Sequence, residues 1–265
     1  ATQLRDMLES LGARGKRLGV ENQSYGLTHA NGKELDAALE GFAKLSDASD
    51  LVNMIRVVKS PAELEYVRKA GKLGDAALKA AVKKTRAGAD EGDILAAQQG
   101  AIFAGGGDYP ANEFIIGSGR DALLCRYKAG RRELSKRDQL TLEWAGVYRH
   151  YHAAFMRTLI IGKPTKQHRA MDKACREALA AVEEQLRPGC TAGDVFAAHA
   201  RVMDEHGMKD HRLNACGYSL GAKFTPSWMD SPMFYRDNPV VIGPGMVFFA
   251  HMILMNSEAG AAYCL

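Results

Sequence analysis

Little in this sequence would take it out of water or tie it to a scaffold. No apolar run approaches the roughly 18 to 20 residues that cross a bilayer, and the opening ATQLRDMLES lacks the basic-then-apolar order of a secretory leader. A soluble chain is expected, with no membrane partner and a cytoplasmic location. The five cysteines, Cys125, Cys175, Cys190, Cys216 and Cys264, are odd in number, widely spaced and form no CxxC pair. That excludes a disulfide framework or a zinc ribbon and leaves reduced core thiols. Charge is nearly balanced, with 35 basic against 31 acidic residues, too even to point to nucleic acid. There is no internal repeat and no low-complexity tract. The one basic cluster, RYKAGRRELSKR at 126 to 137, reads either as a solvated loop or as a mouth that attracts a carboxylate substrate.

What is present is apolar content of 46% over 265 residues, enough for a substantial core. Residues 2 to 14 read as a helix, 17 to 23 as a strand and 33 to 45 as a helix. This is too little for a closed domain. Residues 1–54 are therefore expected to be the C-terminal part of a small α/β N-terminal domain, with the chain starting inside it. Near the boundary, Ser60 as N-cap, Pro61 in the first turn and Glu63 three residues on form a helix-start signature, predicting a helix to about Arg86. Residues 55–265 then alternate helix pairs with strand hairpins. Helices are predicted over 91 to 104, 165 to 186 and 193 to 207. Strands are predicted over EFIIGSG, 138 to 144, 149 to 161, and from 213 onward. That order argues for an α+β fold with an antiparallel sheet.

The segment EWAGVYRHYHAAFMRT, 143 to 158, carries the chemistry. Pairing strands 140 to 146 and 149 to 158 about a four-residue turn, Val147 to His150, sets Glu143 opposite Ala154 and Ala145 opposite His152. Side chains on one strand face recur every second residue, so these four share a face. Diagonal partners lie about 7 to 8 Å apart, close enough for the carboxylate and imidazole to bracket one small molecule over two alanines. A face that merely tolerates Glu and a packed core His is the competing reading, and a bulge near Gly146 would turn His152 away.

From Ile55 to Leu265 the chain resembles the pita-bread family of methionine aminopeptidase, prolidase, aminopeptidase P and creatinase. IRVVKSPAELEYVRKAGKLGDAAL, EFIIGSG, LTLEWAG, LRPGCTAGDV, CGYSLG and GPGMVFFAH occur in that family's order and spacing. The resemblance implies a pita-bread catalytic domain, and it implies that its C-terminal end lies past Leu265. The family's peptidases hold two metal ions with two aspartates, a histidine and two glutamates. By this resemblance the aspartate positions fall on Glu143 and Ala154, the histidine on Tyr218, and one glutamate at or near His251. The other glutamate is expected just beyond Leu265. Alanine cannot ligate and tyrosine rarely does, so no metal and no other cofactor are expected.

Within the family, the hairpin (Glu143, Ala145, Gly146, Tyr151, His152) and GYSLGAKFTPSW are most similar to the metal-free creatinase and ectoine hydrolase branch. That likeness implies a metal-independent hydrolase of a C–N bond in a small amino-acid-derived compound, such as ectoine or a creatine-like guanidino compound. Glu143 would be the carboxylate base or nucleophile, His152 its acid/base partner and His251 a second acid/base group or substrate contact. Tyr218 would donate a hydrogen bond, and Trp228 and Phe234 would form an apolar wall suited to a ring-shaped cation. Arg126 falls where the peptidases carry a substrate-binding histidine and could clamp a carboxylate. A homodimer is implied by analogy. Two alternatives stay open: a metal-dependent Xaa-Pro dipeptidase using Mn or Zn, and a catalytically inactive binding protein.

Overall fold

The computed structural model describes residues 2–124 and 131–265, in two compact units, Ala1–Arg56 and Val57–Leu265. In the first, α1 (Thr2–Ser10), α2 (His29–Leu39) and α3 (Leu51–Arg56) accompany two parallel strands, β1 (Arg17–Val20) and β2 (Lys44–Asp47). Its small core is Ala13, Leu39 and Phe42. The helix expected over 33 to 45 stops at Leu39 because Gly41 takes a positive φ of 65°, freeing the chain for β2.

The second unit opens with α4 (Pro61–Lys84). Its start is fixed by reciprocal bonds: the Glu63 N–H donates to Ser60 Oγ (3.3 Å) and the Ser60 N–H to Glu63 Oε2 (2.8 Å). α5 (Glu91–Ala104) is capped by Asp90. Three antiparallel strands follow: β3 (Ile115–Ser118), β4 (Asp138–Tyr148) and β5 (Tyr151–Ile161), with β4 central. After α6 (Lys166–Gln185) and α7 (Ala192–Glu205) comes a second antiparallel sheet. It consists of β6 (Ala215–Ser219), β7 (Asp230–Tyr235) and β8 (Phe248–Ala250), with β6 central. A last hairpin, β9 (Ile253–Asn256) and β10 (Ala261–Cys264), is tied to the first sheet. There the Cys264 N–H donates to Thr158 Oγ1 (2.9 Å) and the Ala262 N–H to Gln139 Oε1 (2.9 Å).

Each sheet has one face against helices and one against the shared core. α4 lies so close to the first sheet that Trp144 Nε1 donates to the Gly74 carbonyl at 3.0 Å. A β-carbon on Gly146 would stand 1.9 Å from the Ala70 oxygen, and one on Gly74 2.1 Å from the Phe155 ring. The even-numbered residues of β4 are thereby committed to the helices. The odd ones, Glu143, Ala145 and Val147, face inward. α6 and α7 cover the second sheet over a separate core that includes Cys175, Cys216 and Phe234. Burial pushes the Cys216 thiol up to about 12, so it packs as a small apolar group. Among the described residues no helix is long and apolar enough to cross a membrane.

The β4–β5 turn differs from expectation. The strands run on to Tyr148 and Tyr151, leaving a two-residue turn in which Arg149 (φ 51°) and His150 (φ 62°) both adopt left-handed backbone. Such turns normally advertise themselves with Asn-Gly or Asp-Gly; here Asp108 Oδ2 accepts the His150 N–H (3.3 Å) from outside the hairpin.

Gly146→Ala is expected to lower stability by about 1 to 3 kcal/mol through overpacking against α4. Urea denaturation checks this; an unchanged midpoint would show that the strand and helix are not held this tightly.

Candidate active site

The tight turn moves the register by two residues. Glu143 pairs with Met156, Ala145 with Ala154, and Val147 with His152. The expected pairings, Glu143 with Ala154 and Ala145 with His152, are therefore corrected. Glu143 and His152 still share the inward face, but the Ala145–Ala154 row lies between them. With strands rising about 3.4 Å per residue, each stands about 7 Å along the strand from that row. The inward face thus carries a row of two methyls, with a carboxylate on one side along the strands and an imidazole on the other; we call this face the trough. Ile115 of β3 flanks Glu143 on the remaining side.

His152 is fully buried, and its surroundings fix its state. Its Nε2 accepts the Ala111 N–H at 2.9 Å, so the ring proton sits on Nδ1, which has no hydrogen-bond partner among the described residues. Burial, the largest influence, lowers its pKa from 6.5 to about 4. A ring neutral at pH 7 with its lone pair engaged is a hydrogen-bond donor, not the proton shuttle expected of it.

The second sheet supplies the opposite wall. Tyr218 pairs with Phe249 in β8 and Met233 in β7, which turns its ring inward. Trp228 is buried beside it, donating from Nε1 to Tyr218 Oη (2.8 Å) with its ring 6.2 Å from that of His152. His251, just past β8, stacks obliquely on Tyr218 (5.8 Å) and Phe249 (5.3 Å). Phe234 does not join them. It neighbours Met233 on β7, so strand alternation sends it to the helix side, where it packs on Phe248 at 4.7 Å in the second core. Its expected place in the substrate wall is withdrawn. Arg126 lies outside the described residues.

Two contributors had no signal in the sequence. Ala111 acts through its backbone N–H, and Asn112 Oδ1 accepts the Trp228 N–H at 3.2 Å across 116 residues. An asparagine inside GGGDYPANEF reads as loop, and only tertiary structure shows it buried.

A metal pair does not fit these donors. The position diagonal to Glu143 is a methyl group, Ala154. The phenol of Tyr218 is occupied as a hydrogen-bond acceptor from Trp228. Among the described residues no group of three or more His, Cys, Asp or Glu could hold a metal ion.

Two helix-backed antiparallel sheets whose inner faces meet over such a trough form the pita-bread architecture. The prolidase from Pyrococcus furiosus superposes with a TM-score of 0.86 at 22% identity, covering 98% of this chain and 74% of that one. A Xaa-Pro dipeptidase from Bacillus anthracis superposes at 0.88 and 20%, covering 99% and 71%. These likenesses show the fold. Residues 65–262 match the profile of metallopeptidase family M24, and the chain belongs to that family. Curated relatives include the ectoine hydrolase of Halomonas elongata, 29% identical over 218 residues, 78% of this chain and 54% of that protein. The Xaa-Pro dipeptidase of P. furiosus is 26% identical over 231 residues, 87% and 64% respectively. An uncharacterized hydrolase/peptidase of Sinorhizobium fredii is 32% identical over 241 residues, 89% and 60%. The chain thus spans about 54% to 64% of the length of these relatives.

Because the folded His152 has a pKa near 4 against 6.5 ordinarily, the unfolded chain binds the extra proton between those values. Its contribution to stability is complete above pH 6.5 and falls as pH drops toward 4. The His152 ring resonances are expected to titrate near 4; a midpoint near 6.5 would mean the ring is solvated.

Proposed function

We propose that this chain carries the catalytic unit of a hydrolase that opens a C–N bond in a small amino-acid-derived compound of cyclic amidine or guanidino type, without a bridged metal pair. The observation that carries this reading is the carboxylate Glu143 retained beside a methyl at Ala154. One acid remains where two oxygen ligands would be needed to share cations. Likeness to an ectoine hydrolase at 29% identity supports the substrate class.

In this mechanism a water adds to the electrophilic amidine carbon while Glu143 takes its proton. Collapse of the tetrahedral adduct breaks the C–N bond, and the proton passes from Glu143 to the leaving nitrogen. His152 donates from Nδ1 to the substrate and fixes its orientation. The Ala145 and Ala154 methyls leave room for a ring between the two, and Trp228 and Tyr218 offer aromatic surface to a delocalised cation. His251 contacts the substrate from the second sheet. The homodimer expected for metal-free members of this build belongs to the same proposal.

A second reading, a metal-dependent Xaa-Pro dipeptidase, is favoured by the dipeptidase relative at 26% identity. The two readings separate in one assay. After dialysis against a chelator, the protein is given ectoine, creatine and Xaa-Pro dipeptides, with and without manganese. The proposal expects turnover of a cyclic amidine or guanidino compound without added metal, and a loss of about 10²- to 10⁴-fold in Glu143→Gln. Turnover confined to Xaa-Pro dipeptides and dependent on manganese would replace it with the second reading.

A further inference from the structure

A cavity of about 340 Å³ in the second unit lies at the start of β4 and is lined by Arg120, Arg132, Arg137 and Lys163, with Asp138 the only carboxylate among the described residues that line it. It is separate from the trough. Gln139, in its floor, is four residues along β4 from Glu143, about 14 Å away, and the β9–β10 hairpin covers that end through the bond from the Ala262 N–H to Gln139.

The charges divide into two sets. Arg132 and Asp138 neutralise each other: Arg132 Nη1 donates to Asp138 Oδ2 (2.5 Å) and Ser118 Oγ (2.8 Å), and Nη2 to Ser135 Oγ (3.0 Å). Burial works against ionising Asp138. The Ser135 N–H and the Arg132 guanidinium outweigh it and leave the carboxyl below its ordinary value. Its charge is therefore spent inside the wall. Arg120, Arg137 and Lys163 have no hydrogen bond or ion pair among the described residues.

The floor cannot supply a counter-charge. His168 is kept neutral by burial. Its Nε2 meets Gln139 Oε1 at 2.8 Å and its Nδ1 meets Thr165 Oγ1 at 2.9 Å. Gln139 Nε2 donates to the carbonyls of Gly119 (2.7 Å) and Gly260 (2.8 Å). Gln139 and His168 are thus hydrogen-bonded on both polar ends, and the floor is electrically neutral beneath three cations that pair with none of the described residues. Like charges around one concavity concentrate counter-ions, and guanidinium forks match tetrahedral oxyanions.

We propose that this cavity binds a compact, multiply charged oxyanion of the phosphate-ester or diphosphate class, as an accessory site distinct from the trough. Inorganic pyrophosphate is the probe, titrated calorimetrically into the intact protein at about 0.15 M salt, where exposed charge is screened beyond about 8 Å. The expected result is one site per chain, weakened at least tenfold in Arg120→Ala/Arg137→Ala and again in the single variant Arg137→Glu. All these side chains are exposed, so melting without pyrophosphate should match the parent. No binding by the parent at about 10 mM, a weak affinity that corresponds to under 3 kcal/mol, would overturn the proposal. So would equal affinity in both variants, several equivalent weak sites per chain, or citrate binding as tightly as pyrophosphate.

Discussion

The contact of α4 with the first sheet at Gly146 decides what the second unit can be. A strand that lets a helix backbone approach its own glycine this closely has one face fully committed. The opposite face must then point into the core. That commitment, with the two-residue turn at Arg149 and His150, selects Glu143, Ala145, Ala154 and His152 as the trough. A one-residue slip of β5 against the fixed β4 would send Ala154 and His152 into the helices.

The trough is then defined by a subtraction. A neighbouring pair of oxygen ligands can hold a divalent cation, and the cation in turn keeps both ionised. The residue diagonal to Glu143 in the row beside it is Ala154, whose methyl offers no oxygen to a cation. Burial acts in the same direction on His152. Desolvation keeps the ring neutral and the Ala111 N–H takes its lone pair, so it is left as a fixed donor. In the hydrolase we propose, catalysis rests on the position of one carboxylate and the orientation of the bound compound, more than on strong acids or Lewis acids.

Much of this was legible in the sequence where local chemistry fixes structure. Ser60, Pro61 and Glu63 mark the start of α4, because caps satisfy backbone donors within a few residues. Glu143 and the alanine positions could be read from strand alternation. The register was not legible, since Arg149-His150 carries no turn signature and is held by Asp108, 42 residues away. The state of His152 depends on Ala111, 41 residues away, and no pattern in the hairpin encodes that. Phe234 was misplaced for a related reason: its side of β7 is set by the pairing of Met233 with Tyr218.

The most direct test is a calorimetric titration of Mn²⁺ into the metal-stripped protein, alongside Ala154→Asp. The parent is expected to bind no ion more tightly than about 1 mM, and the added carboxylate to raise affinity. One or two ions held by the parent at micromolar Kd, and lost in Glu143→Ala, would contradict the picture of a single carboxylate working without a cation pair.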